Sequence, residues 1–154
     1  MRKRSVRFAL VALAAVAAGA CGSDGGAYGE AADAAQAQRT IDVIITPAKQ
    51  YEPASITVAP GEVVKFRVTN AASELHEFML GDEKAHEEHD GEMADMPKES
   101  MKMADRSNLL GLDPGKTKEL TWKFPDTAGA TVIYGSHVPG DYTGGLKGTI
   151  TVGG

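Results

Sequence analysis

From its sequence the chain is expected to be all-β, an antiparallel sandwich around one core that is interrupted by a long polar insertion. Three observations carry that expectation. From Thr40 onward apolar residues recur with a period of two, the mark of half-buried strands. The runs are separated by the turn signals "APGE", "LDPGK" and "FPDTAGA". The one departure, "GDEKAHEEHDGEMADMPKESMKMADRS" between Leu80 and Asn108, is too charged and too long for a strand or an ordinary connection. With 154 residues, 42% of them hydrophobic and 24% charged, the chain has the material for one soluble domain with a core of its own.

The elements follow in chain order. Arg2, Lys3, Arg4 and Arg7 precede the apolar run "FALVALAAVAAGA", which is too short to span a bilayer and ends in small residues. Residues 1–20 therefore read as an export signal. Cys21, directly after "AGA", is the only cysteine, so no disulfide can form within the chain. Its setting resembles the lipobox of bacterial lipoproteins, whose cysteine becomes the lipidated first residue of the mature protein. Plain signal cleavage is the other reading, because Ala18 stands where that pattern usually has leucine. Either route puts the domain outside the cytoplasm, and the first anchors it to a membrane, at the periplasm or the cell surface. Losing the four signal cations takes the formal net charge from -5 to -9, which argues against a nucleic-acid partner.

Residues 22–39, rich in Gly, Ala and Gln and without apolar periodicity, are expected to be a flexible tether, and the domain is expected over 40–154. Its strands are read from alternation. Ile41, Val43 and Ile45 give the first, Ile56 and Val58 the next, and Val64, Phe66 and Val68 a third. After the insertion come Leu120, Trp122 and Phe124, then Val132 and Tyr134, and finally Ile150 and Val152. The sum is a sandwich of about seven or eight strands, with Trp122 in its core.

The insertion, residues 81–108, is expected to be partly helical from Glu83 to Met93. It holds His86, His89, Met93, Met96, Met101 and Met103, so four of the chain's six methionines and two of its four histidines fall within eighteen residues. Methionine filling gaps beside solvated charge is the bland account. The chemical account is metal capture: thioethers select Cu(I), imidazoles accept either copper state, and His86 and His89 at i, i+3 share a helix face. Glu87, Glu88, Asp90 and Glu92 would concentrate cations there.

The run "HEFML", the insertion, "LDPGKTKELTWKF" and the closing loop "SHVPGDYTGGLKG" together resemble the cupredoxins of exported bacterial copper proteins, of plastocyanin and azurin type. The resemblance covers about three quarters of the chain and implies a Greek-key sandwich. It also implies where a type 1 copper would have its ligands. The first His falls on His76, but the Cys falls on Ser136, the second His on Asp141 and the Met on Leu146. The loop length and the Pro139, Gly140, Gly145 and Gly148 framework are kept, whereas the thiolate is gone. His137, whose strand phase opposes that of Ser136, is not a ligand by the resemblance.

Two readings of the old pocket stay open at this point. Asp141 pairs with His76 and closes the site, or the imidazole and carboxylate hold Cu(II) or Zn(II) weakly. Hydrolysis by Ser136, His76 and Asp141 is a third, disfavoured because no nucleophile-elbow motif surrounds Ser136. The expectation is thus a non-enzymatic, lipid-anchored copper-binding protein without a blue centre. Its candidate metal residues are His76, His86, His89, Met93, Met96, Met101, Met103 and Asp141. A metal-free interaction module is the alternative.

Overall fold

The computed structural model describes residues 27–96 and 105–153; the export segment, Cys21, Met101 and Met103 lie outside them. Within them two five-stranded sheets face each other. One is ordered β1-β8-β5-β2-β3 and contains β1 (Glu30–Ala31), β8 (Thr117–Lys123), β5 (Val63–Asn70), β2 (Arg39–Ile45) and β3 (Tyr51–Glu52). The other is ordered β4-β10-β9-β6-β7, with β4 (Ser55–Val58), β10 (Lys147–Val152), β9 (Thr131–Gly135), β6 (His76–Gly81) and β7 (Leu109–Leu112). The inward residues of both sheets form one core, in which Phe66, Phe78 and Tyr134 are fully buried and the Phe78 ring touches the other two. Trp122 belongs to it as expected.

Two features depart from the sequence expectation. Each sheet contains one parallel pair, β2 with β5 and β4 with β10, so the sandwich is mixed. Apolar alternation fixes which face a residue shows and says nothing of the direction of the neighbouring strand. The stretch read as a tether also contributes its last part to the sandwich. Glu30 and Ala31 pair with Lys123 and Trp122, and Tyr28 stacks on Trp122 at 5.9 Å between centroids while its carbonyl accepts from the indole Nε1 at 2.9 Å. Asp33 and Gln36 form a capping box around a short 3-10 turn, Ala34–Gln36. The pairing is made by backbone and one aromatic ring, which composition does not register.

β6 is buried at all six positions. Its inward residues, His76, Phe78 and Leu80, meet the opposite sheet. Its outward face is roofed by α1 (Glu83–Ala94), which covers the span expected to be helical. Asp82 caps α1, its carboxylate accepting from the Ala85 N–H at 2.9 Å. The buried residues of α1 are His86, His89 and Met93. The helix has no aliphatic stripe, so it docks mainly by hydrogen bonds.

Candidate metal centre

A strand shows successive side chains to opposite faces, and β6 and β9 are paired with Met79 opposite Gly135 and Gly81 opposite Ile133. Two polar groupings result. His76 and Ser136 point into the sandwich, and Glu77 and His137 point out beneath α1.

On the inner side the loop after β9 turns through Pro139 and Gly140, the latter at φ 94°, and returns Asp141 and Leu146 to the core. Asp141 Oδ2 accepts from His76 Nδ1 at 2.6 Å and from Ser136 Oγ at 2.7 Å. Ser136 Oγ in turn accepts from the Glu77 N–H at 3.0 Å. Lys49 Nζ lies 3.8 Å from the other carboxylate oxygen. His76, Ser136 and Asp141 are all buried, and the carboxylate joins the other two as a metal ion would join ligands. Because the Asp141 carboxylate accepts, His76 Nδ1 carries a hydrogen, and the buried Nε2 has no partner among the described residues.

These side chains do not fit a thiolate-centred copper. Leu146 has no donor atom, Ser136 spends its hydroxyl hydrogen on Asp141, and the one strong anion already takes two hydrogen bonds. Nor do they form a hydrolytic relay. Asp141 stands between His76 and Ser136, so the imidazole is not the group that would take the serine proton.

On the outer side three of the four histidines converge. His89 Nε2 meets Glu77 Oε1 at 3.1 Å and its Nδ1 meets Glu92 at 3.2 Å. Glu77, fully buried within the apolar run of β6, also accepts from the His137 N–H at 2.8 Å. The carboxylate holds His89 protonated to higher pH than usual. His86 Nε2 lies 3.1 Å from the Ile133 carbonyl, His137 Nδ1 lies 3.1 Å from Asp90, and the two rings face each other with His86 Nδ1 2.8 Å from His137 Nε2. Burial pushes the His86 pKa down to about 4 and lowers that of His137, so both rings are neutral near pH 7. Tyr142 stacks on His137 at 4.4 Å and on His86 at 5.2 Å. Gly135 makes room for it: a Cβ there would lie 2.8 Å from the tyrosine ring.

The sequence-predicted residues are thus divided. His76 and Asp141 meet on the inner side, whereas His86, His89 and Met93 line the outer side and Met96 follows the end of α1. Among the described residues no group of three or more His, Cys, Asp or Glu side chains is arranged to hold a metal ion as it stands. Sequence reasoning missed Glu77 and His137. Their signal was phase, since a carboxylate after His76 and a histidine after Ser136 must face away from the inner pocket.

No family model matches the chain. It is 34% identical over 143 residues to the copper-resistant cuproprotein CopI of Pseudomonas aeruginosa, covering 76% of this chain and 77% of that protein. The CopI of Rubrivivax gelatinosus is 32% identical over 117 residues, covering 76% and 68%. Among solved structures, auracyanin B superposes with a TM-score of 0.64 at 22% identity over 81% of this chain and 95% of that one. The dithionite-reduced auracyanin of Roseiflexus castenholzii gives 0.62 at 25% identity over 77% and 99%. Fold and sequence agree, and the chain belongs to the CopI family of copper-resistant cuproproteins, with the cupredoxin fold.

Proposed function

We propose that the chain is an extracytoplasmic lipoprotein, anchored through Cys21, that captures or buffers copper through its His/Met-rich segment and has no blue copper centre. The observation that carries this reading is the docking of the segment's histidines against His137 on the domain, with Met93 buried on the same helix, while three of the four type 1 ligand positions are tied into the His76–Asp141–Ser136 network. The names of the relatives support copper as the ion. Thioethers of Met93, Met96, Met101 and Met103 suit Cu(I), and the neighbouring imidazoles suit both copper states. His76 and Asp141 are the second candidates, since they would have to give up their mutual hydrogen bond to hold a cation.

The test is a competitive Cu(I) titration of the full chain carrying Cys21→Ser, which removes the one thiol. Changing Met93, Met96, Met101 and Met103 together to Leu keeps the apolar bulk and removes the sulfur. Cu(I) affinity is expected to fall at least tenfold, and loading with Cu(II) is expected to give no intense blue band. Unchanged Cu(I) affinity in the four-Met variant, with loss in His76→Ala, would move the site to the inner pocket and end this reading.

A further inference from the structure

We propose that His86 Nδ1 and His137 Nε2 together bind a divalent cation, Cu(II) by preference, at the seam between α1 and the loop that follows β9. The site deepens the copper reading above and rests on it only for the choice of ion. It adds a residue from outside the insertion and needs no thioether.

The first support is the hydrogen bonding of the far nitrogens. The Ile133 carbonyl only accepts, so His86 Nε2 carries that ring's hydrogen; Asp90 only accepts, so His137 Nδ1 carries the other. In the neutral rings the near nitrogens are then both lone pairs, facing each other at 2.8 Å. Two lone pairs at that distance repel unless something positive lies between them. A backbone carbonyl or carboxylate behind each imidazole is also the outer-shell arrangement that fixes the tautomer and orientation of metal-binding histidines.

The second support is distance. Two nitrogens each about 2.0 Å from one ion and at right angles to one another lie roughly 2.8 Å apart. The two nitrogens are held near that separation before any ion arrives. Tyr142 stacks on both of them, and Gly81 lets His86 sit close to β6, where a Cβ would come within 3.3 Å of its ring.

The third support is the room left for other ligands. The pair borders an open cleft of about 170 Å³ whose rim carries Glu83, Glu87 and Asp90. Glu83 and Glu87 are exposed, so water or one of these carboxylates can complete the coordination of an ion that starts with two nitrogens while Asp90 stays on His137. Imidazole with oxygen donors suits divalent copper or zinc, and copper binds the more tightly of the two.

The full chain with Cys21→Ser is titrated with Cu(II) and examined by electron paramagnetic resonance. One equivalent is expected to show two coordinated imidazole nitrogens. His137→Gln should show one and bind at least tenfold more weakly, in the range that loss of even an outer-shell partner costs. Should that variant fail to fold, long-range proton–nitrogen spectra of the chain with native His137 and one equivalent of Zn(II) decide the matter. His86 Nδ1 and His137 Nε2 should move to metal-bound positions while the far nitrogens keep their hydrogens. Unchanged Cu(II) affinity in His137→Gln, or ring nitrogens of His76 or His89 as the bound ones, would overturn the pair. Loss of the pair with Cu(I) capture intact leaves the copper reading standing; a chain that binds neither copper state overturns both.

Discussion

His76 and Glu77 are sequence neighbours, as are Ser136 and His137, and each couple divides between the two faces of the same sheet. The inner members form a network in which Asp141 joins His76 Nδ1 and Ser136 Oγ, while His76 Nε2 has no partner among the described residues. The outer members lie in a histidine cluster where two neutral rings present their lone pairs to each other beside an open cleft. The inner side ties its carboxylate to two partners and leaves one imidazole nitrogen over, whereas the outer side sets two imidazole nitrogens against each other. In a fold whose family binds copper, the side that resembles a ligand loop in spacing has its one carboxylate already engaged, and the side beside the open cleft is built in part from the insertion. Fold alone does not say where a site is.

The largest expected effect tests what holds the outer side together. Glu77 is fully buried and the His89 side chain is 5% exposed, so His89→Leu leaves a buried carboxylate with one backbone N–H as its remaining partner. A loss of about 3–5 kcal/mol is expected in chemical denaturation of the metal-free protein. A loss below about 1 kcal/mol would mean that Glu77 is neutral or solvated and that α1 is held by something else.

The inner side should respond less and without consequence for copper. Asp141→Ala unpairs His76 and Ser136, each a buried polar group worth about 1–3 kcal/mol when left unsatisfied. His76 can shift its hydrogen and Ser136 can rotate its hydroxyl, so the lower end of that range is expected, with Cu(I) affinity unchanged. A fall in copper affinity would erase the contrast between the two sides.

The smallest effect is a pH dependence that sharpens it. His86 is depressed from 6.5 to about 4 chiefly by burial, so between those values the unfolded chain binds more protons at this site than the folded one. Its contribution to stability is therefore present above pH 6.5 and lost as pH falls toward 4. His137, also depressed by burial, acts in the same sense, while His89, raised chiefly by its hydrogen bond to Glu77, opposes them and loses its contribution as pH rises above 6.5. Urea midpoints of metal-free protein measured from pH 6.5 to 5 should fall more steeply for the native sequence than for His86→Phe. Parallel curves would show that His86 titrates normally and that the cluster is open to water.

Much of this was legible in the sequence. Alternation of Val43, Ile45, Phe66, Val68, Leu120, Trp122, Val132 and Ile150 gave the core, because a half-buried strand must show its apolar residues at every second position. The loop "SHVPGDYTGGLKG" revealed both its fold and its missing thiolate, since ligand identity is a property of residue type. The helical stretch expected from Glu83 to Met93 is covered by α1. Less legible was the early part of the domain, where Tyr28 and Glu30 join the sandwich through backbone pairing and one ring stack.

Sequence by itself also determined that the chain holds four histidines and one cysteine, and which way each strand residue faces relative to its neighbours. Only the tertiary structure decided what lies over those faces. His137 was known to point away from Ser136, but a face has no chemistry until something packs on it. Here α1 folds back over β6 and β9, bringing His86 against His137, 51 residues later in the chain, and His89 against Glu77, 12 residues before it. Period two is a local property of the backbone and can be read from a few residues. The meeting of α1 with the outer sheet face is a long-range contact fixed by hydrogen bonds to groups on β6 and β9, and no local pattern encodes it.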